Sequence, residues 1–216
     1  MDTESNPPRD TVHRLDELTW KELAEWFRRD PRMLLPVGSC MQHGRQLPLG
    51  TDIRLVEALA REVCRRTGIL LAPLLSYGVA SPEDLTYAGT AGLERKTLHR
   101  VLNELVQSWE RQGLAEITLL TTNGNPRNIQ ALAMVVAETV RVRSIDTRAI
   151  DVSRVLGAGD RAGTFETSLM LYLDPELVRD GDDESELPTA ATATKGHELY
   201  EHLVESIVGR LGALDA

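Results

Sequence analysis

A three-layer α/β/α fold, with helices on both faces of a mainly parallel sheet, is what this sequence predicts. Three observations carry the prediction. Short apolar runs alternate with longer stretches of helical periodicity, and each run ends in a loop rich in Gly, Pro and polar side chains. Hydrophobic content of 42% and charged content of 26% are those of an ordinary globular domain. A length of 216 residues suits one domain, residues 15–216, behind a flexible arm at 1–14.

The elements follow in order. Thr19-Trp20-Lys21-Glu22 has capping-box spacing, and Leu15, Leu18, Leu23, Trp26 and Phe27 form an apolar stripe. A first helix ending near Asp30-Pro31 is expected. Met33 to Val37 reads as a buried strand. Ile53, Val56, Leu59 and Val63 then recur at helical spacing, with Gly68 as the stop. Ile69 to Pro73 is a second strand, followed by a long loop to Leu93. Leu98, Val101, Leu102, Leu105 and Trp109 mark a helix closing at Gly113. Ile117 to Thr121 is a third strand, Ile129 to Val140 a helix and Val140 to Ile145 a fourth strand. Leu169 to Leu173 reads as a helix, 180–190 as an acidic flexible loop, and Leu199, Leu203, Ile207 and Leu211 as a closing amphipathic helix.

Composition excludes several functions. A net charge of −9 argues against nucleic-acid binding, which wants a basic surface. The longest apolar runs, such as Ile69 to Leu75, are too short to span a bilayer, and no basic amphipathic stripe suggests docking to one. Met1 to Arg14 lacks the basic and apolar regions of a signal peptide. Two cysteines, Cys40 and Cys64, form no disulfide framework, so a cytoplasmic protein is expected.

Parallel strands with right-handed crossovers bring their exit loops to one edge of the sheet. Topology therefore predicts that segments 38–52, 74–91 and 122–128 meet in space as one site. The first is the richest in reactive groups. It holds Cys40, Met41, Gln42, His43, Arg45 and Asp52 among glycines and prolines that read as turn devices.

These loops resemble the creatininase family of amidohydrolases. Leu35-Pro36-Val37-Gly38-Ser39-Cys40-Met41-Gln42-His43-Gly44 through Leu47-Pro48-Leu49-Gly50-Thr51-Asp52 is similar to that family's LPxGSxEQHGxHLPLGTD. Tyr77-Gly78 through Ser81-Pro82-Glu83-Asp84 to Gly89-Thr90 resembles YGxSxEHxxFPGT, and Thr122-Asn123-Gly124-Asn125-Pro126-Arg127-Asn128 resembles VNGHGGN. Asp160-Arg161-Ala162-Gly163-Thr164-Phe165-Glu166-Thr167-Ser168 resembles DxHAGxxETS, and Ala193-Thr194-Lys195-Gly196 the closing ATxxKG.

The resemblance implies two divalent metals, zinc, manganese or iron, that polarise an amide and generate hydroxide. Carried over, three ligand positions survive in His43, Asp52 and Glu166. The first-loop Glu falls on Met41 and the His of NGHGGN on Asn125. The catalytic His of DxHAG falls on Arg161, and the His after SxE on Asp84. A thioether is a soft, neutral donor that does not replace a carboxylate. Two metals are therefore not expected. One divalent metal (Zn, Fe or Mn) on His43, Asp52 and Glu166 stays open beside a metal-free site in which Arg161 pairs with Asp52 or Glu166.

The expected activity is work at a C–N bond of an amide, lactam or cyclic amide in a small molecule or modified peptide. The alternative is a non-catalytic relative serving as a scaffold. His43, Asp52, Glu166, Arg161, Cys40 and Asn125 are the candidate catalytic residues. Met41, Gln42, Tyr77, Glu83, Asp84, Asn123 and Asn128 are the candidate substrate-binding residues. Each has a plainer reading: His43 and Asp52 as loop supports, Glu166 as a first-turn carboxylate, Cys40 as packing. Family resemblance implies a homo-oligomer, a hexamer, with no nucleic acid or membrane partner.

Overall fold

The computed structural model describes residues 11–157, 163–179, 188 and 190–212. Four strands, β1 (Arg32–Val37), β2 (Leu70–Leu71), β3 (Glu116–Thr121) and β4 (Arg141–Asp146), form one parallel sheet in the order β2-β1-β3-β4. The helices are α1 (Trp20–Arg29), α2 (Thr51–Thr67), α3 (Arg95–Glu110), α4 (Pro126–Ala133), α5 (Ser153–Leu156), α6 (Thr164–Leu173) and α7 (Ala193–Gly212).

The expected layers are present, and β1 shows why. Its side chains alternate across the sheet. Leu34 packs with Leu55, Leu59, Leu169 and Leu203 of α2, α6 and α7, whereas Met33, Leu35 and Val37 pack with Phe27, Leu98, Leu102 and Leu132 of α1, α3 and α4. A strand buried on both faces must be apolar throughout, which is why Met33 to Val37 reads as an unbroken run.

Local signals account for most boundaries. The Thr19 hydroxyl accepts from the Glu22 N–H at 3.4 Å while Glu22 accepts from the Thr19 N–H at 2.7 Å, which closes the capping box of α1. Gly68 ends α2 in the left-handed region at φ 75°, where a side chain would be strained. At the start of the described chain, His13 accepts from the Leu71 N–H at 2.9 Å, so this segment runs along the sheet edge.

The second strand and the helix after β3 differ from expectation. The second strand shrinks to Leu70–Leu71, since Pro73 has no N–H for the ladder, although Leu75 re-enters it by donating to Pro36. The helix expected at 129–140 starts earlier and ends sooner, at Pro126–Ala133. The Asn125 side chain caps it and Pro126 takes the first position, where its missing N–H costs nothing. Beyond Ala133 the chain leaves the helix. Asn103 accepts from the Val136 N–H and Glu110 from those of Thr139 and Val140, so side chains of α3 capture the backbone there.

Candidate active site

The exit loops of β1 and β3 and the long loop after β2 converge as topology requires. Met41, Gln42, His43, Asp52, Asp84, Asn123, Gly124, Asn125, Arg148 and Glu166 line one cavity of about 340 Å³.

Asp52 is its buried anchor, 1% exposed in the first turn of α2, where the helix dipole favours a carboxylate. The Ser39 hydroxyl donates to Oδ2 in a short hydrogen bond, and the Thr122 hydroxyl donates to Oδ1 at 3.1 Å. His43 stands beside it, with Nε2 at 3.6 Å from Asp52 Oδ2 and no hydrogen-bond partner of its own. That separation is an ion-pair distance and slightly long for a hydrogen bond. Burial opposes a charged imidazole, but the nearby Asp52 and Glu166 carboxylates outweigh it and hold the His43 pKa above the ordinary value, against the pull of Arg148.

The rim is built of amides and a second carboxylate. Asp84 accepts from Gln42 Nε2 at 2.7 Å and from the Ser81 hydroxyl at 2.5 Å. Partial burial pushes its carboxyl up, yet these bonds outweigh burial and leave it below the usual carboxylate value. Asn123 donates to the Val79 carbonyl at 3.2 Å, with the Met41 sulfur 3.9 Å from the same nitrogen. Asn125 turns its carbonyl back onto the Arg127 N–H at 2.9 Å, so at this position the amide caps α4.

Arg148 was not among the residues expected from sequence. It lies in the 3-10 turn Thr147–Ala149 that follows β4, and its Nη1 donates to Glu166 Oε1 at 2.6 Å. The guanidinium also sits 4.9 Å from the centre of the Phe165 ring. The cation that meets Glu166 is Arg148; the pairing expected for Arg161 with Asp52 or Glu166 lies outside the described residues. No periodicity or motif marks Arg148. The only sequence signal is its place two residues past a parallel strand, on the edge that carries the site.

Among the described residues, four expected site residues do not line the cavity. Cys40 is half-buried with its thiol toward the Gly89 carbonyl at 3.9 Å, and its backbone pairs with Ala91. Tyr77 and Glu83 are exposed on the long loop. Asn128 is fully buried beneath the floor. Its side chain accepts from the Val79 N–H at 3.0 Å and donates to the Thr121 hydroxyl at 3.3 Å, tying two site loops together. Asn128→Ala would strand both partners and is expected to cost about 2 kcal/mol. Urea denaturation measures it, and an unchanged midpoint would contradict the tie.

Residues 16–187 match the family model described as Creatininase: creatinine amidohydrolase. The chain belongs to the creatininase family. It is 32% identical over 217 residues to the mycofactocin precursor peptide peptidase of Mycolicibacterium smegmatis, covering 84% of each chain. It is 29% identical over 189 residues to the creatinine amidohydrolase of Pseudomonas putida, covering 75% of this chain and 72% of that one. A solved creatinine amidohydrolase superposes with a TM-score of 0.79 at 24% identity, over 94% of this chain and 98% of the other, and shares the fold. These named relatives are hydrolases, which supports the expectation of an enzyme.

Other solved creatininases include a manganese form and a Zn-Zn form. The creatininase ligand positions of this chain fit a metal pair poorly. Where the resemblance implies donors stand a thioether, Met41, and an amide, Asn125, which is engaged as a helix cap, and Glu166 is held by Arg148. Among the described residues no three His, Cys, Asp or Glu side chains are gathered closely enough to hold an ion. The His43, Asp52 and Glu166 set expected for one metal therefore shares a cavity without forming a ligand cluster.

Proposed function

We propose that this creatininase-family protein acts on the C–N bond of an amide, in a small molecule or a modified peptide, with His43 as its proton-transfer group. The observation that carries the reading is the buried His43–Asp52 pair facing a polar cavity. Asp52 is fixed by Ser39 and Thr122, and its carboxylate stands 3.6 Å from His43 Nε2, at ion-pair distance from the imidazole. With Nε2 turned inward to Asp52, Nδ1 is the nitrogen left for a substrate.

In hydrolysis, Nδ1 takes a proton from water as its oxygen attacks the amide carbon. The imidazolium, stabilised by Asp52, then gives that proton to the leaving nitrogen as the C–N bond breaks. Substrate amide groups have partners at hand in Gln42, Asp84 and Asn123, which line the same cavity.

The relatives' named substrates support both halves of this class, a cyclic amide and a precursor peptide. Mass spectrometry of cyclic amides, lactams and modified peptides incubated with the protein tests it. Turnover is expected for at least one class and is expected to fall sharply in Asp52→Asn. Turnover that survives Asp52→Asn undiminished would overturn the assignment of the dyad. Absence of turnover throughout would favour the scaffold alternative. A homo-oligomer belongs to the same proposal and is measured by sedimentation equilibrium. No helix among the described residues is long and apolar enough to cross a membrane.

A further inference from the structure

The mismatch between this cavity and a metal pair has a specific structural cause. The carboxylates of Asp52, Asp84 and Glu166 line a small cavity, which calls for positive charge. Arg148 supplies it, and the fold holds that side chain from several directions. Its Nη1 is 2.6 Å from Glu166 Oε1, and its guanidinium packs on the Phe165 ring. Its backbone N–H is held by Asp146 at 2.9 Å, while a Cβ at Gly124 would stand only 3.2 Å from Arg148 Cγ. A side chain at Gly124 would crowd the arginine stem where it passes the third site loop.

We infer that Arg148 takes the electrostatic place of the metals and keeps a divalent ion out. A guanidinium is never deprotonated in a protein, so the cavity carries a permanent cation whatever the metal supply. An incoming ion would have to displace it from Glu166 and would bind against its charge in a poorly screened site. The exchange also divides the chemistry. Arginine can hold an oxyanion or carbonyl oxygen by hydrogen bonds, but unlike a metal it does not convert bound water to hydroxide. Activation of water then falls to His43. The inference rests on the proposed reading for the location of the site, but its readout is zinc affinity rather than turnover.

Four chelator-stripped proteins, titrated with zinc chloride by calorimetry, test it: the wild type, Arg148→Met, Met41→Glu/Asn125→His, and the triple variant that combines them. The wild type is expected to bind no stoichiometric zinc. The double variant restores the donor types but keeps the cation, and is expected to stay weak. The triple variant is expected to bind about 100-fold tighter than the double. Stoichiometric zinc in the wild type, equal affinity of double and triple, or a folded triple no tighter than the double would each overturn it. Should the triple not fold, Arg148→Met alone is expected to give a measurable zinc isotherm where the wild type gives none, and a variant as silent as the wild type overturns the inference. Wild-type protein without turnover that still shows this zinc pattern would sink the catalytic reading and leave the cation's role standing.

Discussion

His43→Ala is expected to lower kcat by about 10²–10⁴-fold, the range that a positioned proton-transfer group contributes. Binding should change far less, because the polar walls formed by Gln42, Asp84 and Asn123 remain. The pH profile makes the test specific. A general base works deprotonated, so activity rises with pH through the His43 pKa. Asp52 and Glu166 hold that pKa above the ordinary imidazole value, so the rising limb should lie above pH ~6.5. Asp52→Asn removes the nearest carboxylate and should move the limb down while lowering the rate. The linked stability effect has the opposite sense. A raised folded-state pKa contributes stability that is fully present below the unfolded pKa and is lost as pH rises through the folded one. A profile flat across this window, or a His43→Ala rate within a few-fold of wild type, would remove His43 from the chemistry.

Gly196→Ala is expected to destabilise the protein by about 3 kcal/mol or more. An added Cβ would lie 1.9 Å from the Ser168 carbonyl oxygen and 2.8 Å from Tyr172 Cβ, both on α6. A backbone oxygen cannot rotate away as a side chain can, so α7 has to lift off α6. Glu166 sits in the first turn of α6, so the same shift reaches the cavity. At Gly209 in the same helix an added Cβ would meet nothing within 4 Å, and Gly209→Ala should stabilise by up to ~1 kcal/mol through helix propensity. Paired urea denaturations check both signs. A loss under ~1 kcal/mol at Gly196 would mean that the helices separate easily.

Much of this architecture was legible because it follows from local rules. Strands buried on both faces must be apolar, so β1 and β3 stand out in the chain. Gly68 and the Thr19–Glu22 box end and begin helices through contacts within a few residues. Convergence of the loops needed only the handedness of parallel crossovers. The end of α4 was not legible, because captures by Asn103 and Glu110 decide it from α3, more than 25 residues away in sequence. Asn128 and Cys40 show the same limit within the site loops. Residue type and loop membership suggest chemistry for both, but the direction of the side chain assigns Asn128 to the scaffold and Cys40 to packing against the long loop.

The sequence by itself determined the family, the layered parallel fold and the edge of the sheet where the cavity lies. It also placed Met41 and Asn125 at two positions where the resemblance implies metal donors. Only the tertiary structure decided which cation meets Glu166. Arg148 and Glu166 sit on different elements, and their 2.6 Å contact depends on how β4 delivers its exit turn against α6. Periodicity and capping act over a few neighbouring residues and carry no record of such a distance. It is set by packing, and packing joins residues that the chain keeps apart.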